Sequence, residues 1–298
     1  MSLLTDRRDL YPSRTAGRPA ILPRQDPVVW GDDPGPLDPE LVASYEEHGY
    51  LVLPGLLPPS TVRSLDVEIE RLAADEAVKE EPRAVIEPDG RALRSLFRIH
   101  AGDDALGELA RDPKLVGIAR QLLGEDVYVH QSRVNLKPGL HGKEFYWHSD
   151  FETWHAEDGM PAMRAVSCSI ALTDNYSYNG SLMLMPGSHR VFYPCVGATP
   201  DNHHRASLVR QDIGVPSREV LTEAAHRFGI SQFTGPAGTA LWFDCNIMHG
   251  SGSNITPFPR SNVFLVFNSV DNALTEPFAA ARPRPEFLAA RPKALVGG

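Results

Sequence analysis

The hydrophobic positions of this chain recur with helical spacing at first and alternate with polar positions later. Between Val62 and Leu72, apolar residues return every three or four positions, which predicts a helix from Ser60 to about Lys79. The other elements predicted before residue 126 are a helix from Asp38 to near Gly49, a strand at 50–53 and a helical pair between about Asp104 and Leu123.

From residue 126 the period changes to two, which indicates β-structure. The predicted strands are 126–137, 165–172, 181–185, 239–248 and 262–270, with a long loop at 186–211 and a helix at 217–228. Helices followed by many short strands predict a mainly β fold with flanking helices, in which the core is a double-stranded β-helix, or jelly roll.

We expect the whole chain, 1–298, to form one domain. Within it we predict an irregular amino-terminal arm at 1–37, a helical buttress at 38–125, the jelly-roll core at 126–271 and a carboxy-terminal tail at 272–298.

Two of the predicted strands place polar residues on otherwise apolar faces. In 126–137, alternation puts Gln131, Arg133, Asn135 and Lys137 on one face with Val127 and Val129. Such a face indicates either a strand running from a core into a binding cavity or a solvent-exposed strand end. In 239–248, the same rule aligns Phe243 with His249, which is then either a ligand at a cavity mouth or a capped core residue.

Composition and charge narrow the classes of function. The net charge of -9 argues against a nucleic-acid binder and suits a neutral or zwitterionic small substrate. The three cysteines, Cys168, Cys195 and Cys245, are an odd number without close spacing, which favours a reducing cytoplasm. Neither a signal peptide nor a membrane-spanning stretch is visible, so we expect a cytoplasmic protein without a membrane partner.

Candidate metal chemistry lies in a His-x-Asp pair. His148 and Asp150 are two residues apart, and His249 follows about 100 residues later. In an extended segment, residues two apart point the same way, so both side chains can reach one ion. Two histidines and one carboxylate form the facial triad of non-haem Fe(II) oxygenases. The alternative is a hydrogen-bonded loop pair and a core histidine, because roughly one such pair is expected by chance in a chain rich in histidine.

The residues around this pair resemble a known family. The run from Phe145 to Met163 is similar to the signature of the ectoine hydroxylases, which are phytanoyl-CoA hydroxylase-like Fe(II)/2-oxoglutarate dioxygenases. The resemblance continues in the segments 9–14, 130–133 and 186–189, and so it covers nearly the whole chain.

The resemblance implies an enzyme that hydroxylates ectoine to 5-hydroxyectoine with Fe(II), 2-oxoglutarate and O2, and that releases succinate and CO2. It implies that the iron ligands are His148, Asp150 and His249. It places 2-oxoglutarate against Lys137, Ser251 and Arg260. It places ectoine against Gln131, Thr153, Trp154, Ser167, Phe243 and Phe264.

Other functions stay open at this point. One is hydroxylation of a different small zwitterion, and another is a non-catalytic solute-binding jelly roll. Halogenation is disfavoured because Asp150 fills the position that a halide would need. The expected partner is a small molecule rather than a nucleic acid, and a homodimer is left open.

Overall fold

The structure is a computed structural model that describes residues 8–17, 20–87, 92–140, 142–204 and 213–291. Its helices are α1 (Pro39–His48), α2 (Pro59–Ala74), α3 (Glu76–Lys79), α4 (Ala105–Ala110), α5 (Pro113–Leu123), α6 (Asp150–Thr153), which continues as a π-helix at Trp154–Asp158, and α7 (Arg218–Phe228). Its strands are β1 (Leu22–Pro23), β2 (Tyr50–Leu53), β3 (Ala84–Ile86), β4 (Leu93–Phe97), β5 (Val127–Lys137), β6 (Phe145–His148), β7 (Ala165–Ala171), β8 (Leu182–Leu184), β9 (Val191–Phe192), β10 (Ser231–Gln232), β11 (Ala240–Asp244), β12 (His249–Ser251) and β13 (Arg260–Ser269).

Local sequence signals explain where the helices begin and end. Asp104 and Asp112 cap α4 and α5, because each carboxylate accepts hydrogen bonds from two backbone N–H groups of the first turn. The predicted helix from Ser60 to Lys79 is divided at Asp75, whose backbone is extended. Its side chain accepts from Ala77 N and thereby starts α3.

The larger sheet has the order β2-β11-β7-β13-β5-β4-β3, and its neighbouring strands are antiparallel. Helices α2, α4 and α5 pack on its outer face in one apolar cluster, which includes Leu65, Ile118, Cys168, Trp242 and Leu265. The segment 38–125 therefore provides strands β2, β3 and β4 as well as helices.

The smaller sheet has the order β10-β8-β12-β6 and faces the larger one. A second apolar cluster joins their inner faces, with Leu182 and Leu184 from the smaller sheet and Leu241, Phe243 and Phe264 from the larger. Two antiparallel sheets with interdigitating inner faces form a double-stranded β-helix. The predicted fold class is therefore confirmed.

Alternation misassigned one face of β5. The register between β5 and β13 shifts between Val266 and Phe267, so that Val266 lies opposite Gln131 and Phe267 opposite Val129. His130 is the extra residue of this β-bulge. Because of it, the side chains before His130 point to the side of the sheet opposite to the one that simple alternation assigns to them. Val127 and Val129 therefore pack with the helices, and their predicted face with Gln131 is wrong.

The strand predicted at 239–248 is also shorter. β11 ends at Asp244, whose carboxylate accepts from Asn246 N in a tight turn, and His249 begins β12 in the other sheet. Phe243 and His249 therefore share no strand face, although the centroids of their rings are 5.1 Å apart.

Parts of several predictions lie outside the described residues: 1–7 and 18–19 of the arm, 88–91 of the helical buttress, 141 and 205–212 of the jelly-roll core (which include 205–211 of the long loop), and 292–298 of the tail. Within the described ranges, no helix has both the length and the apolar character needed to cross a membrane.

Candidate active site

The smaller sheet and helix α6 bring three metal-ligating side chains together. His148 ends β6 and His249 begins β12, and these two residues are direct cross-strand partners. Asp150 is the first residue of α6, one step beyond the extended Ser149. The prediction that His148 and Asp150 lie on one continuous extended segment is therefore wrong, but the change to a helix still points Asp150 at the histidines. The three ligand atoms lie within 4.8 Å of one another.

Hydrogen bonds orient both imidazoles for metal binding. His148 Nδ1 donates to Tyr146 O at 2.8 Å, and His249 Nδ1 donates to Ile247 O at 3.0 Å. In these tautomers Nε2 carries the free lone pair of each ring, as a metal ligand requires. The Nε2 atoms lie 3.4 Å and 3.8 Å from the Asp150 carboxylate oxygens.

The charges of the triad also fit a divalent cation. Burial and the neighbouring His148 lower the pKa of His249 to about 4, so that its ring is neutral. Burial opposes ionisation of Asp150, but His249, His148 and Arg133 hold its pKa well below the usual range. Two imidazole nitrogens and one carboxylate are the donor set that Fe(II) takes in non-haem oxygenases.

Beside the triad, two buried cations form a site for an anion. Lys137 and Arg260 are cross-strand partners on β5 and β13. Lys137 Nζ donates to Ser251 Oγ at 3.1 Å and to Gly252 O at 2.7 Å. Arg260 is 1% exposed, and its Nε and Nη1 have no hydrogen-bond partner among the described residues. Orphaned guanidinium donors in this setting fit a carboxylate.

The remaining wall of the cavity is aromatic and polar. Trp154 and Thr153 face it from the helical segment, and Phe264 faces it from β13. Gln131 lies on the same wall, but both ends of its amide are already bonded. Its Nε2 donates to Leu288 O at 2.7 Å, and its Oε1 accepts from Arg133 at 3.0 Å.

The structure brings most of the predicted site residues to this one cavity. Those that line it are Gln131, Lys137, His148, Asp150, Thr153, Trp154, His249, Ser251, Arg260 and Phe264. It places Ser167 and Phe243 behind the wall, where they are cross-strand partners on β7 and β11. Phe243 packs there against the His249 ring.

Arg133, His203 and Arg284 are among the cavity residues that were not predicted as site residues. The Arg133 guanidinium carbon lies 4.8 Å from the centroid of the Phe264 ring. Arg133 could have been predicted as a cavity residue, because alternation places it on the same strand face as Gln131 and Lys137. His203 and Arg284 reach the cavity from segments predicted as loop and tail. No periodicity in those segments could have identified them.

Comparison with known proteins identifies the family. Residues 45–262 match the family model described as phytanoyl-CoA dioxygenase. The chain is 56% identical to an ectoine dioxygenase of Nocardia farcinica over 286 residues, which cover 96% of this chain and 95% of that protein. It is also 56% identical to an ectoine dioxygenase of Streptomyces avermitilis, over 97% of this chain and 98% of that one. The chain belongs to the ectoine dioxygenases of the phytanoyl-CoA dioxygenase family.

Solved structures agree with this membership. Crystal structures of EctD from S. alaskensis, one with 2-oxoglutarate and 5-hydroxyectoine and one with bound Fe, match at a TM-score of 0.85 and 47% identity. The first covers 95% of both chains, and the second covers 96% of this chain and 95% of that one. The epimerase SnoN matches at 21% identity and a TM-score of 0.60, over 85% of this chain and 95% of that one, and this likeness shows the fold alone. The predicted family is therefore confirmed.

Proposed function

We propose that this ectoine dioxygenase family member hydroxylates ectoine to 5-hydroxyectoine. The reaction inserts one atom of O2 into a C–H bond of the substrate, while the other enters 2-oxoglutarate as it loses CO2 and becomes succinate. One observation carries the proposal: the His148–Asp150–His249 triad and the buried Lys137–Arg260 pair open on the same cavity. The full-length likeness to ectoine dioxygenases supports the choice of substrate.

Each group of residues has one task in this reaction. His148, Asp150 and His249 would hold Fe(II), which supplies the activation of O2 when it is bound. Arg260, with its unpartnered Nε and Nη1, would pair with a carboxylate of 2-oxoglutarate, and Lys137 with Ser251 would add further donors beside it. Because Lys137 and Arg260 lie opposite each other on two strands, both donors are held in place before the cosubstrate arrives.

The substrate needs recognition of a carboxylate and of a cationic amidine ring. The planar guanidinium of Arg133 suits the carboxylate, and its stacking on Phe264 and its bond to Gln131 fix its orientation. The Trp154 face can bind the cationic ring. Gln131 contributes mainly by holding Arg133 and the Leu288 backbone in place, since both ends of its amide are bonded.

Phe243 and Ser167 act from behind the wall in this proposal. Phe243 keeps the His249 ring in orientation, and Ser167 leaves the space that the Phe243 side chain needs on the neighbouring strand.

A homodimer and a cytoplasmic location remain predictions, which light scattering and cell fractionation would test.

The test is incubation with Fe(II), 2-oxoglutarate and ascorbate, with ectoine, proline or pipecolate offered as the substrate. We expect an oxygenated product from ectoine and one succinate per product. The His249→Ala variant is the matched control and should retain neither iron nor activity. Preference for another zwitterion would overturn the substrate, and substrate binding without succinate release would overturn the enzymatic function altogether.

A further inference from the structure

His203 is a buried histidine that borders the cavity without belonging to any helix or strand. It lies after β9, is 8% exposed, and lines the same cavity as Trp154 and Thr153. Its Nδ1 lies 3.0 Å from Glu157 Oε1, and the structure gives its Nε2 no polar partner among the described residues.

Glu157 fixes both the orientation and the tautomer of this ring. Burial would raise the pKa of Glu157, but the hydrogen bond from His203 and the positive charges of Arg284 and Arg14 lower it to about 2. The carboxylate is therefore ionised and can only accept, so His203 Nδ1 carries the proton in this bond. In a neutral ring of this tautomer, Nε2 is a hydrogen-bond acceptor.

Glu157 is itself held rigidly. Arg14 Nη1 donates to Glu157 Oε1 at 2.6 Å, and the other side of the same guanidinium donates to Glu152 at 3.0 Å and 3.1 Å. Arg14 and Glu157 are both buried. The imidazole is thus placed by a chain of charge-assisted bonds that begins in the amino-terminal arm.

The cavity is rich in donors and poor in acceptors, which makes a free Nε2 unusual. The cations that line it are Arg94, Arg133, Lys137, Lys143, Arg260 and Arg284. Its carboxylates are Asp150, which belongs to the triad with His148 and His249, and Glu87, at the β3–β4 hairpin beside the Lys137 end of β5. A cationic ring that carries N–H groups must find a neutral acceptor there, because unpaired buried donors are costly.

We propose that His203 is a substrate-binding residue whose Nε2 accepts an N–H hydrogen bond from the amidinium ring, with Glu157 and Arg14 as its positioning residues. This inference rests on the proposed function, because it takes ectoine as the substrate. Trp154 binds the face of the cation and His203 binds its edge. The two residues then define the position of the ring relative to the metal.

Two amide variants separate binding from structural support. In His203→Asn, the amide can still donate to Glu157 from near the Nδ1 position, but nothing reaches the position of Nε2. In His203→Gln, the longer amide can place its oxygen near Nε2, while the bond to Glu157 is weakened. We expect the KM for ectoine to rise about 10- to 100-fold in His203→Asn and clearly less in His203→Gln. The KM for 2-oxoglutarate and the iron content should not change in either variant.

A larger effect in His203→Gln than in His203→Asn would overturn the proposal. If the bond to Glu157 is what matters, His203→Asn behaves like wild type and His203→Gln loses thermal stability and activity. His226→Asn, at an exposed position on α7, is the matched control for the same substitution. A wild-type protein that does not turn over ectoine would overturn both proposals, whereas normal turnover with an unchanged KM in His203→Asn would overturn this one alone.

Discussion

Three cations on neighbouring strands give the cavity its preference for anions, and of these Lys137 and Arg260 are buried and Arg133 is partly buried. Arg133, Lys137 and Arg260 form no ion pair with a carboxylate in the described part of the chain. A buried charge without a partner costs several kcal/mol, so the fold retains these charges at the expense of stability. Burial, with the positive charges of Arg260 and Arg94, lowers the pKa of Lys137 to about 7. An anionic ligand that pairs with these cations offsets the cost of burying them.

We expect the affinity for 2-oxoglutarate to fall as the pH rises above about 7. Lys137 binds the dianion as a charged ammonium, and in the free protein this proton is lost as the pH passes its lowered pKa of about 7. The Kd should then increase by up to about tenfold per pH unit, because one proton must be regained for each ligand bound. Titration calorimetry of Mn(II)-loaded protein between pH 6.5 and 9 measures this slope.

Lys137→Met provides the control for this pH dependence. The variant should bind 2-oxoglutarate more weakly at pH 6.5 and lose most of the slope, while Arg260, with a pKa of about 10, stays charged. An equal slope in both proteins would assign the titration to another group.

At the scale of single elements, the alternation of apolar and polar residues predicted β5 well from Gln131 to Lys137. It failed before that point because of the bulge at His130, which depends on how β13 pairs and leaves no trace in the alternation itself. It also joined β11 to His249, because Cys245 and Ile247 continue the alternation of apolar residues through the turn that Asp244 and Asn246 stabilise with side-chain hydrogen bonds. The metal-ligating residues were still predicted, because the spacing of His148 and Asp150 is local in sequence and the family resemblance added His249.

That turn is tied directly to the segment that carries the other two metal ligands. Ser149, between His148 and Asp150, donates from Oγ to Asn246 Oδ1 at 3.0 Å. The Asn246 amide in turn donates to His189 O at 2.9 Å and to Val191 O at 3.1 Å. Ser149 and Asn246 thus fix the distance between the two ligand-bearing segments.

Ser149→Ala should weaken both folding and metal retention. It leaves Asn246 Oδ1 buried without its donor, which should lower the free energy of unfolding by about 1–3 kcal/mol. We expect iron affinity to fall about tenfold, as is typical when a residue supporting metal ligands is lost. Urea unfolding and iron dissociation in the presence of a chelator measure the two effects. Ser64→Ala, on the exposed side of α2, should change neither, and unaltered iron dissociation in Ser149→Ala would contradict this role.

At the scale of the whole molecule, buried ion pairs join the terminal segments to the core. Arg14 pairs with Glu152 and Glu157, Arg24 pairs with Asp244 at 2.8 Å, and Arg284 pairs with Asp158. The sequence predicted these regions as an arm and a tail because they lack apolar periodicity. Contacts made through single charged side chains have no period, and their partners lie more than 100 residues away. Prediction from local pattern therefore could not place them.

The pairing of Arg284 with Asp158 leads to the last prediction. The Arg284 guanidinium donates to both carboxylate oxygens of Asp158, which is fully buried beside His130. In Arg284→Met the carboxylate keeps its burial and loses its partner, which should lower the free energy of unfolding by about 3–5 kcal/mol at pH 8. Arg284→Met/Asp158→Asn should recover part of this loss, because the charge is removed with its partner.

The pH dependence of this loss tests its electrostatic origin. Burial already raises the pKa of Asp158 despite the charge of Arg284, and removal of that charge raises it further. A carboxyl group whose pKa is higher in the folded state contributes stability that is present at low pH and is lost as the pH rises through the folded pKa. The deficit of Arg284→Met relative to wild type should therefore be smaller at pH 5 than at pH 8. The double variant should show a nearly constant deficit. Urea unfolding of the three proteins at both pH values measures these differences. A deficit in Arg284→Met that is equal at the two pH values would mean that the guanidinium stabilises the carboxy-terminal segment through packing rather than through its charge.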